Sequence, residues 1–301
     1  MFCGRLIYVR SLLYRLLITL AGPIRPGWFI FSMLRELGHA VLGIMFAGEK
    51  ASLQRIQGGP LRGFNLVLDL RNSADRHMWL GIYEQSVMGA FAENLAGRSD
   101  AVVYDIGAGY GYHTLFLSRL VFPRGRVFAF EPDPDSLRAL RMALEANRVQ
   151  NVKIIDRGVG SHGGLRTFYR RPLSLHCSLY PAQASGGGNS WRTQSTHGTF
   201  STQVVSLDDF VFVEGYPVPD LLKIDVEGAE IEVLTGASRV LAEYHPTIIC
   251  EIHSAKLGQE VTMMLSENGY CESTFAVRED AKHILARHSQ RHPGNIAFPV
   301  G

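Results

Sequence analysis

Lysine is scarce in this chain: only 5 of its 30 basic residues are lysine, and the rest are arginine. We attribute that bias to genomic base composition before any function. Cysteine is scarcer still, with four in 301 residues (Cys3, Cys177, Cys250 and Cys271) and no C-x-x-C spacing. Nothing in that pattern reads as a disulfide framework or a zinc site, so a reducing, cytoplasmic compartment is expected. No uncharged apolar run reaches the roughly 18–20 residues that a spanning helix needs. The apolar stretch at 6–21 carries Arg10 within its face, and Leu16–Gly22 is short for a secretory signal and lacks a small-residue cleavage site. Net charge is only +2, which implies no global nucleic-acid character, and no nucleic-acid partner is expected.

What is present is ample for one α/β domain with an extension: 46% of the residues are hydrophobic. The charge is unevenly spread. Residues 1–62 carry eight Lys/Arg against two Asp/Glu, a balance of +6 that leaves −4 for the remainder. A basic arm on a mildly acidic body reads as peripheral contact with an anionic surface such as membrane lipid, or equally as a solvated basic face. We divide the chain into an N-terminal helical extension at 1–55 and a catalytic domain at 56–301. Residues 171–202, with the run Ser185-Gly186-Gly187-Gly188-Asn189-Ser190, show no helical or strand period and read as a flexible insertion with ordered ends.

Periodicity supplies the rest of the organisation. Two helical patterns fill the first 50 residues, and Leu53–Ile56 and Phe64–Leu70 flank a glycine-proline turn as a β-hairpin. A helix is expected around 84–96. From Ala101 strands alternate with helices, the pattern of a parallel sheet covered on both faces. Strands are expected at 101–106, 126–131, 152–156, 220–225 and 246–252, and helices near 112–121, 134–147, 228–243 and 256–268. Asp135 can cap the second of these helices. Strands near 270–277 and 294–299 would add an antiparallel pair at the sheet edge.

The chemistry concentrates at strand ends. Val102–Ile106 delivers Asp105 into Gly107-Ala108-Gly109-Tyr110-Gly111, and a helix follows. A strand, an acid, G-x-G-x-G and a helix together suit S-adenosylmethionine, whose amino group is cationic. A dinucleotide site wants its third glycine where Tyr112 stands, and Asp105 would repel a pyrophosphate. Twenty residues after Gly111, the strand Arg126–Phe130 closes on Glu131, a carboxylate placed to accept both ribose hydroxyls. Asp156, ending the third strand, is a candidate for the adenine amino group or a turn former. A scaffold without turnover and a nicotinamide oxidoreductase are the rival readings; the first predicts missing acids at this edge, the second a glycine at 112.

Asp220–Glu230 and Pro246–His253 bring a second set of acids to the same edge. Asp225 ends a buried strand, where an acid without a partner is costly, so a functional role is expected. Glu230 reads more simply as a surface helix carboxylate. Strand alternation puts Glu251 and His253 on one side. Asp225, Glu251 and His253 then form an acid–base cluster or, equally, a partial divalent-metal site. No second acid stands beside Glu251, so no metal is expected. His253 is the expected general base, with Asp225 orienting it or serving in its place.

These pieces resemble the FkbM-type family of S-adenosylmethionine-dependent methyltransferases. The matching segments are Tyr83-Glu84, Asp105–Gly111, Phe130-Glu131-Pro132, Ser206–Asp209, Lys223–Glu230 and Glu251-Ile252-His253. The resemblance spans about residues 60–299, and Lys-Ile-Asp-Val-Glu-Gly-Ala-Glu is its most specific part. It implies a class I methyltransferase fold: a Rossmann-like parallel sheet with an antiparallel edge hairpin. It also implies transfer of a methyl group to a hydroxyl of a small molecule such as a sugar, glycolipid or polyketide. Residues 1–55 lie outside it.

Overall fold

Val102–Ile106, Arg126–Phe130, Val152–Ile155, Leu221–Ile224 and Thr247–Ile252 are short and mostly apolar, and all but the edge strand Val152–Ile155, where Lys153 is exposed, are largely buried on both faces, the pattern of parallel strands in a covered sheet. A computed structural model describes residues 50–170, 177–179, 198–277 and 282–290. The basic arm, expected from its sequence to be helical, lies outside the described residues over 1–49.

The described chain falls into two units, one ending at Glu84 and one beginning at Gln85. In the first, β1 (Ser52–Arg55) pairs antiparallel with β2 (Asn65–Leu68), followed by α1 (Ser73–Leu80). The Asn72 side chain accepts from the Ala74 N–H and so caps α1.

The second unit opens with α2 (Gln85–Asn94) and then alternates: β3 (Val102–Ile106), α3 (Tyr112–Val121), β4 (Arg126–Phe130), α4 (Pro134–Ala146) and β5 (Val152–Ile155). Then come β6 (Gly158–Val159), β7 (Gly164–Arg170), β8 (Cys177–Ser178) and β9 (Thr199–Val205). The sheet resumes with β10 (Leu221–Ile224), α5 (Glu230–Thr235), α6 (Ser238–Tyr244), β11 (Thr247–Ile252), α7 (Ala255–Glu267), β12 (Tyr270–Val277) and β13 (Lys282–His288). The seven-stranded order is β12-β13-β11-β10-β3-β4-β5. The five central strands run parallel, whereas β13 is antiparallel to β11 and β12 to β13. This is the Rossmann-like sheet with an edge hairpin. Its chain reversal lies between β3 and β10, so the C-terminal ends of those strands flank a crevice. Beneath it, Tyr104, Phe128, Phe130 and Phe210 meet edge to face or tilted at 4.9–6.0 Å.

Four expectations change. The edge hairpin returns through Lys282–His288, whose stretch from His283 to Ala286 is continuously buried, rather than through 294–299, which lies outside the described residues. The helix expected over 228–243 is two, separated at Gly236-Ala237, and only glycine fits at 236 because a Cβ there would stand 2.0 Å from the Gly160 carbonyl oxygen. Asp133, not Asp135, caps α4: its Oδ1 accepts from the Asp135 N–H at 2.7 Å. A four-stranded sheet with no counterpart among the expected strands, of order β6-β9-β7-β8, forms from Gly158–Val159, Thr199–Val205, Gly164–Arg170 and Cys177–Ser178, of which only Cys177–Ser178 and the start of Thr199–Val205 fall within the 171–202 insertion. Residues 180–197, with the glycine run, lie outside the described residues.

Candidate active site

Two groups of side chains meet at the ends of β3, β4, β10 and β11. The first is built on the glycine loop. Gly107 has φ +78, and a Cβ there would lie 1.8 Å from the Asp225 carbonyl oxygen, so only glycine lets the loop pass under β10. Gly107 and Ala108 both donate to the Phe130 carbonyl, which ties the loop to β4. At Gly109, φ +55, a Cβ would meet nothing within 4 Å: the loop opens onto space. Gly111 sits at the N-cap of α3 and supplies no side-chain cap, which leaves the start of that ten-residue helix facing the same side.

Glu131 reaches back over the loop. Its Oε2 accepts from the Gly109 N–H at 2.7 Å and its Oε1 from the Asp133 N–H at 2.8 Å. Each oxygen keeps a second lone pair. Burial outweighs these bonds and pushes the carboxyl up to about 7. Asp105 is fully enclosed: Thr114 donates to its Oδ2 at 2.6 Å, and the Lys223 ammonium stands 3.0 Å from its Oδ1. Asp156 lies apart, 69% exposed beside Arg141 at 3.9 Å.

The second group surrounds His253. Its Nδ1 is 2.6 Å from Glu230 Oε1, which also accepts from the Gly228 N–H at 3.1 Å. Its Nε2 faces Asp225 Oδ1 at 3.8 Å, Glu227 Oε2 at 3.8 Å and Glu251 Oε1 at 3.9 Å. Glu227 reaches this position from a left-handed backbone, φ +55, which costs a non-glycine residue about 1–3 kcal/mol. Burial alone would push the imidazole pKa down, but Glu227, Glu230 and Glu251 together hold it up to about 10. A ring in that state is charged at neutral pH.

The structure thus brings Asp225, Glu251 and His253 together, as alternation along the strands predicts. It adds three residues that sequence reasoning passed over. Glu230 is fully buried against the imidazole instead of lying on a helix surface. Glu227, two residues beyond Asp225, belongs to the cluster as well. Lys223 links the groups, with Nζ 3.0 Å from Asp105, 3.5 Å from Asp225 Oδ2, and donating to the Gly107 carbonyl at 2.7 Å. All three lie within Lys223–Glu230, which was itself the available signal.

A family described as the methyltransferase FkbM domain matches residues 105–271, which carry both groups. The chain belongs to the FkbM methyltransferase family. It is a methyltransferase, and its cofactor is S-adenosylmethionine. Among relatives of this methyltransferase, the hexuronic acid methyltransferase AglP of Haloferax volcanii is 29% identical over 205 residues, 68% of this chain and 77% of the relative. The 31-O-demethyl-FK506 methyltransferase FkbM of Streptomyces tacrolimicus is 30% identical over 196 residues, 58% and 74% of the two chains. A solved FkbM methyltransferase from Methylobacillus flagellatus overlays with a TM-score of 0.46 at 16% identity, covering 85% of this chain and 60% of that one. The fold assignment rests on the sheet order itself. Among the described residues no helix is long and apolar enough to cross a membrane.

Proposed function

We propose that this methyltransferase moves a methyl group onto a hydroxyl oxygen of a small polar acceptor, of the sugar, glycolipid or polyketide kind. The named substrates of its relatives, a hexuronic acid and a demethylated FK506, support a small-molecule acceptor. The single observation that carries the reading is the Lys223 bridge. One ammonium, 3.0 Å from Asp105 and 3.5 Å from Asp225, couples the glycine-loop group to the acid–imidazole group.

The open space over Gly109, the uncapped start of α3 and the spare lone pairs of Glu131 suit the donor. In this reading Gly107, Ala108, Gly109 and Gly111 shape the cradle, and Glu131 accepts from the ribose hydroxyls. Asp105, being enclosed, acts through Lys223 and Thr114 to fix the loop. Asp156 serves the adenine amino group by swinging in from its exposed position. Bound there, S-adenosylmethionine supplies a methyl on a positive sulfur, already activated for displacement. The residues of the chain position the acceptor and receive its proton. In the cation-free cluster His253 carries a proton at neutral pH, so base duty falls to Asp225, the most open acid of the group, with His253 orienting it.

For the arm at 1–55 the proposal is reversible contact of Arg5, Arg10, Arg15, Arg25 and Arg35 with anionic lipid, set against docking on the catalytic domain at 56–301.

The test of the main reading is product chemistry. Purified protein is incubated with methyl-labelled donor and a panel of uronic acid glycosides, neutral sugars and hydroxylated polyketides. Label in an alkali-stable ether is expected. Label found only in a base-labile ester or an N-methyl product would overturn hydroxyl transfer.

A further inference from the structure

We propose that Asp225, Glu251 and His253, supported by Glu227, bind a divalent cation of the magnesium–manganese class. The inference goes beyond methyl transfer and does not depend on it. One ligand atom from each of Asp225, Glu251 and His253 lies within 4.8 Å of the other two. From His253 Nε2 the three carboxylate oxygens stand 3.8, 3.8 and 3.9 Å away, too far for hydrogen bonds. Bonds of about 2.0–2.2 Å place ligand atoms roughly 3 Å apart when adjacent and about 4 Å apart when opposite. The observed gaps fall inside that range.

Two further observations point the same way. The Nδ1 face of His253 is held by Glu230 at 2.6 Å, the carboxylate–histidine pairing that orients a metal-ligating imidazole. Glu230 Oε2, on a residue with no exposed surface, has no hydrogen-bond partner, so the pocket holds more carboxylate than its neighbours satisfy. Four carboxylates (Asp225, Glu227, Glu230 and Glu251) converge on one imidazole. The Lys223 ammonium is shared with Asp105, and His283 lies 3.5 Å from Glu251. Buried negative charge in that excess is costly without a cation. Oxygen donors with one imidazole and no thiolate favour magnesium or manganese. The sequence places no second acid beside Glu251; the turn after β10 supplies it from Glu227.

Metal-stripped full-length protein is titrated with Mn²⁺ alone, with free ion followed by its electron paramagnetic resonance signal. One Mn²⁺ per chain is expected, displaced by Mg²⁺. Asp225→Asn and Glu251→Gln should each weaken binding about tenfold or more, whereas Glu243→Gln on α6 should leave it unchanged. Calorimetric binding of S-adenosylmethionine shows which variants are folded; should Glu251→Gln not fold, Asp225→Asn carries the comparison. A parent with no stoichiometric Mn²⁺, or a folded Asp225→Asn that binds like the parent, overturns the site. The readout uses neither donor nor acceptor, so failure of the methyl-transfer reading would leave it standing, and the reverse holds.

Discussion

If Glu131 accepts from the donor's ribose as proposed, its titration is tied to donor affinity. Burial lifts its carboxyl from 4.5 to about 7, against the two backbone N–H bonds that pull it down. The sign follows from which state holds the proton. Between pH 4.5 and 7 the native chain keeps a proton that the unfolded chain has lost, so native stability falls as pH rises through this window. At about 1.4 kcal/mol per pH unit, holding the charged form above pH 7 costs the native state on the order of 3 kcal/mol. Hydroxyl donors from a ribose favour that same charged form. Donor affinity should therefore rise with pH through about 7, as the ionised carboxylate becomes available without a proton to displace. One hydrogen bond to a charged acceptor contributes about 1.5–3 kcal/mol, which is roughly tenfold or more in affinity.

Calorimetry with S-adenosylmethionine from pH 5.5 to 8.5, beside Glu131→Gln, tests the chain of reasoning. The parent should bind about tenfold or more tightly at the upper end, while Glu131→Gln should bind weakly with a flat profile. The glutamine variant should also match or exceed the parent in stability at pH 8, because it removes a buried charge. A parent affinity that does not change across the range, or an equal slope in Glu131→Gln, would refute the ribose assignment.

Asp225→Asn should lower turnover at least about a hundredfold while calorimetric donor affinity stays within about threefold, if this acid serves as the base for the acceptor as proposed. Glu230→Ala should destabilise the fold by about 3–5 kcal/mol in urea unfolding, because it leaves the buried His253 Nδ1 and the Gly228 N–H without their shared acceptor. Gly107→Ala should abolish donor binding or folding, its Cβ being 1.8 Å from the Asp225 carbonyl at φ +78; a soluble variant with parental affinity would contradict the loop geometry. The full chain should pellet with anionic vesicles at low salt and be released by high salt, each basic residue near the surface contributing about 1 kcal/mol. Failure to pellet would return the arm to a packing role.

The parts of the fold that were legible share a physical cause. Each parallel strand is a short, mostly apolar run, four of them ending at a glycine or an acid and Thr247–Ile252 lying between Pro246 and His253, and each such run became a strand within a residue or two of its expected ends. Burial on both faces leaves few alternatives for such a segment. Thr199–Val205 was missed for the opposite reason. Its exposed residues Thr199, Ser201 and Gln203 are polar and its partner β7 is largely exposed, so no apolar period marks either strand, and their pairing is a long-range fact. The need for glycine at 236 is likewise set by a backbone 76 positions away, at Gly160.

The site divides along the same line. Alternation along one strand was enough to put Glu251 and His253 on one side, because the pleat fixes direction locally. Glu230 looked like a helix-surface carboxylate because its sequence neighbours do not reveal what lies across the sheet end. Only the folded chain shows that it meets a histidine from another strand. The place of Glu227, 3.8 Å from His253 at the end of β11, is likewise visible only in the folded chain. Strand-end residues are thus readable one element at a time, while the charge state of a cluster assembled from β10, the turn that follows it, and β11 is not. That is why His253 reads as a base in the sequence and stands in the structure among carboxylates, three of which (Glu227, Glu230 and Glu251) hold its proton.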